Sequence, residues 1–200
     1  MASKVGVWNQ ALQRLGTRRV DTDTEETAEA EALIAVWDEA RLYVLEQYPW
    51  SFARVVDQLA QVLPAPETVW TYFYQLPSDI VHILRVSDGT DNFEWSVGKS
   101  VPYERQFDDR IAADAEEAYL YYIRDVDDMN LWIPSARSAL AWRLAYEVGP
   151  RLVESAAKWE RADREYLKGV EIAKSQDSAR SRAFRINETP HVTARRSAVG

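Results

Sequence analysis

The apolar residues of this chain repeat every three to four positions up to Pro49, every two from there to Arg124, and every three to four again from Pro134 to Lys174. A period near 3.6 marks one stripe of a helix and a period of two marks one face of a strand, so the change of period dictates where each kind of element can form. Val5, Trp8, Ala11, Leu12 and Leu15 predict a helix over 4–15 that Gly16 closes in a left-handed cap. Asp23 stands three before Glu26 in a capping-box arrangement. Ala30, Leu33, Trp37, Ala40, Val44 and Tyr48 then carry a long helix over 24–48, which Pro49 stops. At ~1.5 Å per residue it spans about 35 Å, which makes it the expected spine of a bundle.

The middle third predicts strands over 52–63, 69–76, 80–87, 93–97 and 117–124, separated by Pro64-Ala65-Pro66, Pro77-Ser78-Asp79 and Asp88-Gly89. Residues 102–115 read as a long loop with one helical turn around 110–113. Helical spacing returns at Pro134, a residue suited to a first helical turn, and runs through Ala136, Leu140, Leu144 and Val148 until Gly149-Pro150 breaks it. Trp159, Ala162, Tyr166, Val170 and Ala173 then line one face of a helix over 155–175. Strands held apart from helices give an α+β fold, a bundle of about four helices with an antiparallel β-rich insertion over 50–125, and exclude a doubly wound parallel sheet.

Composition narrows function mainly by exclusion. The chain has 200 residues, 46% of them apolar, with 24 basic and 32 acidic side chains and a formal net charge of −8. A single core-forming domain over 1–177 with a tail is expected. No apolar run approaches the ~18 residues of a membrane span, and the first residues lack the pattern of a signal peptide, so a soluble, unexported protein without membrane contact is expected. With no Cys, thiol chemistry and Cys-ligated metals are excluded, and only His82 and His191 supply imidazoles. No metal or cofactor is expected. His82 alternates with Ile80, Leu84 and Val86 and reads as a half-buried core residue. The acidic balance argues against gripping nucleic acid over the whole surface. Eight Trp and ten Tyr fill a core first, and together they favour an extensive interface.

From 178 to 200 the pattern stops, and an extended basic arm is expected. Arg180, Arg182, Arg185, Arg195 and Arg196 are suited to carboxylate pairing, and Phe184 and Ile186 supply apolar anchors, the composition of a segment that orders on a partner. Phosphate loops, nucleophile elbows and metal motifs are absent. Paired carboxylates are the one enzymatic constellation to weigh: Asp108, Asp109, Glu116, Glu117, Asp125, Asp127 and Asp128, with aromatics that stack on sugars, allow a carbohydrate-active, glycosidase or lectin-like, alternative. Acidic loops on an acidic protein are more simply solvated surface.

Trp8-Asn9-Gln10-Ala11-Leu12-Gln13-Arg14-Leu15-Gly16, Trp37-Asp38-Glu39-Ala40-Arg41 and Tyr48-Pro49-Trp50-Ser51-Phe52-Ala53 resemble the tail tubular A, or head–tail adaptor, proteins of tailed bacteriophages. So do Tyr74-Gln75-Leu76-Pro77-Ser78-Asp79, Tyr121-Tyr122-Ile123 and the helix that begins Pro134-Ser135-Ala136-Arg137. The pieces keep the family's order from about residue 5 to 174. Pro49, Trp50 and Phe52 are the most telling of them, a proline stop that drops two aromatics between bundle and sheet. The resemblance implies a non-catalytic virion protein at the head–tail interface, assembled in the host cytoplasm. It further implies a dodecameric ring beneath the portal, a distal tail or nozzle protein on the far side, and a lumen that DNA crosses without specific binding. Adaptors of this kind often hold the portal with a C-terminal arm, the role that Arg180, Arg182, Phe184, Arg185, Ile186, Arg195 and Arg196 would take.

Overall fold

A computed structural model describes residues 2–63, 69–90, 100–106 and 109–186. The elements run α1 (Lys4–Leu15), α2 (Ala28–Glu46), β1 (Arg54–Gln58), β2 (Tyr72–Gln75), β3 (Ile80–Ser87), β4 (Tyr103–Gln106), β5 (Arg110–Ala113), β6 (Tyr119–Arg124), α3 (Pro134–Leu152) and α4 (Ala156–Ile186). Helices bracket the strands in sequence, so the fold is α+β. The chain divides into a helical unit, Met1–Val44, Trp50–Phe52 and Asp127–Gly200, and a β unit, Leu45–Pro49 and Ala53–Val126.

In the helical unit, α1 is capped at both ends as its sequence requires. Ser3 Oγ accepts from Gly6 N at 3.0 Å, and Gly16 takes the left-handed conformation with φ 73°. Val7, Trp8, Ala11, Leu12 and Leu15 are buried along one stripe. α2 starts four residues later than its pattern implies, because Thr27 is the cap: its Oγ1 accepts from Ala30 N at 3.3 Å and its carbonyl from Glu31 N at 2.9 Å. Asp23 and Glu26 do not form the expected capping box. The closest helix pair is α3 with α4, not a packing around α2. Small residues allow this approach, since a Cβ on Gly169 would stand 3.7 Å from Ala139 Cα. α2 is instead held through large rings, with Trp37 meeting Trp8 edge-on at 6.1 Å. α3 passes through Pro150 to Leu152, three residues beyond the expected break. A proline so near the end forfeits only one helical bond, and Val153 N closes the turn on Gly149 O at 2.9 Å.

The β unit holds two three-stranded antiparallel sheets, ordered β1-β6-β3 and β2-β5-β4. Residues 102–115, expected as a loop with a helical turn, carry β4 and β5 instead. Each is four residues long, too short to show a period of two, and tertiary pairing decides their state. The strand expected over 93–97 lies outside the described residues. Leu59, Tyr74, Leu76, Val86, Ile111, Leu120 and Tyr122 form the core of this unit. His82 is exposed, not half-buried: register shifts between Ile80 and His82 and between Ile83 and Arg85 break the alternation that would have turned it inward.

Candidate functional site

Trp50, Ser51 and Phe52 sit in the helical unit, although the chain on either side belongs to the β unit. α2 ends at Glu46, two residues before the expected end, and after Pro49 the next three residues are fastened one by one. Trp50 is fully buried and its indole Nε1 donates to Val44 O at 2.8 Å. Phe52, half-buried, stacks on Trp50 at 5.9 Å between ring centres and meets Trp132 at 5.0 Å. Ser51 donates twice to the Asp177 carboxylate, through its backbone N at 2.9 Å and its hydroxyl at 2.5 Å. Phe52 thus stands between Trp50 and Trp132, and all three rings belong to the helical unit.

Asp177 is 1% exposed, yet it lies on α4 in the register of Ala162, Tyr166, Val170 and Ala173, where each neighbour is apolar. Its two Ser51 bonds compensate the burial of the charge. The sequence pattern ends the last helix at 175 and leaves Asp177 just beyond it, the final residue of the expected domain. A carboxylate continuing an apolar seam was the signal that the helix extends further. α4 in fact reaches Ile186, so the first nine residues of the expected extended arm, with Arg180, Arg182, Phe184, Arg185 and Ile186, are helical. Arg195 and Arg196 lie outside the described residues.

Arginine and aromatic side chains make the other notable cluster. The Arg143 guanidinium lies over Tyr43 at 4.0 Å and within 5.8 Å of the Tyr146 and Tyr166 rings, and it pairs with Glu147. Tyr43 is exposed, whereas the Tyr166 hydroxyl is buried without a hydrogen-bond partner, and burial pushes its pKa up to about 12. Arg41, 6% exposed, bridges Asp38 at 2.9 Å and Asp127 at 3.0 Å. Arg14 donates to Ser138 O and Oγ at 2.8 Å and stacks on Trp142 at 4.0 Å; burial pulls its pKa down to about 10. Trp8, Trp37, Trp50 and Trp132 are buried, and Trp70, Trp142 and Trp159 are half-buried. Among the described residues the tryptophans therefore fill a core first and leave half-buried faces second.

No family model matches this chain, and no curated protein does. Four of the carboxylates weighed for carbohydrate chemistry have partners: Asp109 with Arg105 at 3.9 Å, Glu117 with the Tyr119 hydroxyl at 3.2 Å, Asp127 with Arg41, and Asp128 with Asn130 N at 2.9 Å. The Asn130 bonds hold the Asp128 carboxyl below its ordinary range. Asp108 and His191 lie outside the described residues. Among the described residues no group of three or more metal-ligating side chains converges, and no helix is long and apolar enough to cross a membrane.

Proposed function

We propose that this chain is a structural head–tail adaptor of a tailed bacteriophage, forming a dodecameric ring between the portal and the distal tail around the DNA channel. The observation that carries the reading is the Pro49-Trp50-Ser51-Phe52 segment, the most telling piece of the resemblance. Its Trp, Ser and Phe are each fixed by a separate contact in the helical unit, which gives a physical reason for that sequence at that place. The surface aromatic and arginine side chains supply residue types that dominate interfaces, and rings arise from heterologous contacts that close. The net negative charge suits a lumen that must release phosphate. The arm residues Arg180, Arg182, Phe184, Arg185, Ile186, Arg195 and Arg196 serve the portal contact in this reading.

Native mass spectrometry with the portal of the same phage tests it. Twelve copies bound per portal ring is the expected stoichiometry. A chain that stays unbound under conditions where heads mature sinks the proposal.

A further inference from the structure

Charge is divided unequally between the units. The β unit carries fourteen acidic and six basic side chains, a net charge of −8 that equals the whole chain's. Four of its exposed carboxylates, Glu104, Asp114, Glu116 and Glu117, gather around the end of β5. Consecutive residues hold two of them, with Trp70 Nε1 donating to Glu104 Oε2 at 2.7 Å and Thr71 N donating to Asp114 Oδ1 at 2.9 Å. Tyr74 senses the other two. Its hydroxyl donates to Glu116 O at 3.0 Å, and burial first, then the charges of Tyr72, Glu116 and Glu117, push its pKa up to about 12. Among the described residues none of the four carboxylates is ion-paired, and Arg105, next to Glu104, turns to Asp109 at 3.9 Å. Val69, 90% exposed, precedes Trp70 at the same corner.

α4 carries the complement. Its buried seam, Ala162, Tyr166, Val170, Ala173 and Asp177, turns one side of the helix inward. Arg161, Arg164, Lys168 and Ile172 recur at three- and four-residue spacing on the opposite side, and all four are exposed, Ile172 by 56%. Glu160, Glu165 and Glu171 border this stripe, with Glu165 bound to Lys168 at 3.0 Å and Glu171 to Lys174 at 2.8 Å. Arg161 and Arg164 have no ion-pair partner among the described residues.

We propose that the outer stripe of α4 docks on the acidic β5 corner of a second copy, with Arg161, Arg164 and Lys168 against Asp114, Glu116 and Glu117. This rests on the ring reading, because two different faces that fit one another make a head-to-tail contact, the kind that closes a ring. Charge selects the occupant. Two acidic corners repel, whereas a basic helix face of the same chain complements the corner, fixes its register and excludes like-charged approaches. The exposed Ile172 and Val69 supply one apolar anchor on each side. A single exposed ion pair contributes little, but the contact repeats at every subunit boundary of a ring, so small contributions accumulate. The contact uses the first half of α4 and leaves Arg180, Arg182 and Arg185, further along the helix, for the portal.

Charge exchange on the full-length chain tests the contact. Arg161→Glu with Arg164→Glu, and separately Glu116→Arg with Glu117→Arg, should each weaken self-association and ring formation on portal at least tenfold at low salt, because like charges then face each other. All four positions are exposed, so the fold is retained. A chain carrying all four substitutions reverses both faces and should regain assembly, a recovery that a folding defect cannot give. A four-substitution chain that stays as weak as either pair overturns the proposal. The wild-type chain gives a second reading. Isotope-labelled and unlabelled copies are mixed and treated with a carbodiimide, which joins only an amine and a carboxylate in contact. Lys168 should link to Asp114, Glu116 or Glu117 of the other isotope, free at high concentration or on portal rings. Links confined to one chain, or none under either condition, overturn the proposal. Duplex DNA binding that the Arg161→Glu, Arg164→Glu chain loses while its assembly is undiminished would assign the stripe to phosphate and overturns it as well. Rings that form undiminished in both paired variants keep the ring reading and remove this contact, whereas links between copies of a chain that never binds portal keep the contact and remove the ring reading.

Discussion

At the scale of single residues, the Pro49–Phe52 segment shows how unlike partners share one job. Trp50→Ala should cost about 3 to 5 kcal/mol, because a fully buried ring is lost together with its bond to Val44 O. Phe52 is only half-buried, so Phe52→Ala should cost about 1 to 2 kcal/mol; urea denaturation resolves the two. Asp177→Ala strands the Ser51 amide and should cost about 2 to 3 kcal/mol, with Asp177→Asn milder because one acceptor oxygen remains. Tyr166 is the reverse case, a buried hydroxyl without a partner. Tyr166→Phe should leave neutral stability unchanged or raise it. Its effect appears at high pH: the phenol is neutral when folded up to about 12, but the unfolded chain ionises near the ordinary value of 10.0. The folded state therefore loses this contribution as pH rises from 10 towards 12, and the Phe variant should show a shallower loss across that window. Trp50 was legible as a core residue from its place after the proline stop. Ser51 and Asp177 were not, because their pairing joins positions 126 residues apart and leaves no local pattern.

Elements were legible where a cap or a long stripe announced them. Gly16 and five apolar positions defined α1 to the residue, and the run between Pro77-Ser78-Asp79 and Asp88-Gly89 defined β3. β4 and β5 were missed because pairing with each other and with β2, not local pattern, makes them strands. The end of α4 was missed because Arg180, Arg182 and Arg185 read as a solvated tail, although arginine is a good helix former. Two glycines test how helices are fitted. A Cβ on Gly149 of α3 would clash with Trp159 Cβ, so Gly149→Ala should cost about 1 to 3 kcal/mol despite the better helix propensity of alanine. On Gly169 of α4 the nearest atoms stand at 3.7 and 3.8 Å, ordinary contact, and Gly169→Ala should gain about 0.5 to 1 kcal/mol. Thermal melts of the two variants moving in the same direction would contradict this account of the packing.

For the whole molecule, charge placement is the property on which the proposed assembly and DNA passage would depend. The helical unit has eighteen acidic and eighteen basic side chains, and the net charge resides in the β unit. The basic residues near the end of α4 are thus a local feature against a neutral background, and the proposed portal contact should depend on them. Replacing Arg180, Arg182 and Arg185 by Ser should weaken portal retention at least tenfold at low ionic strength. Arginine–carboxylate attraction across a hydrated contact is screened within about 8 Å at 0.15 M salt, so wild type and variant should converge as salt rises. The same triple variant should melt within a degree or two of wild type, because the buried seam of α4, Ala162 to Asp177, lies N-terminal to all three substitutions. Portal binding is read by co-sedimentation across a salt series beside the melts. Retention that is equal in wild type and variant at every salt concentration would shift the contact to the Arg143–Tyr43 surface, where Arg143→Ala is the next variant to measure.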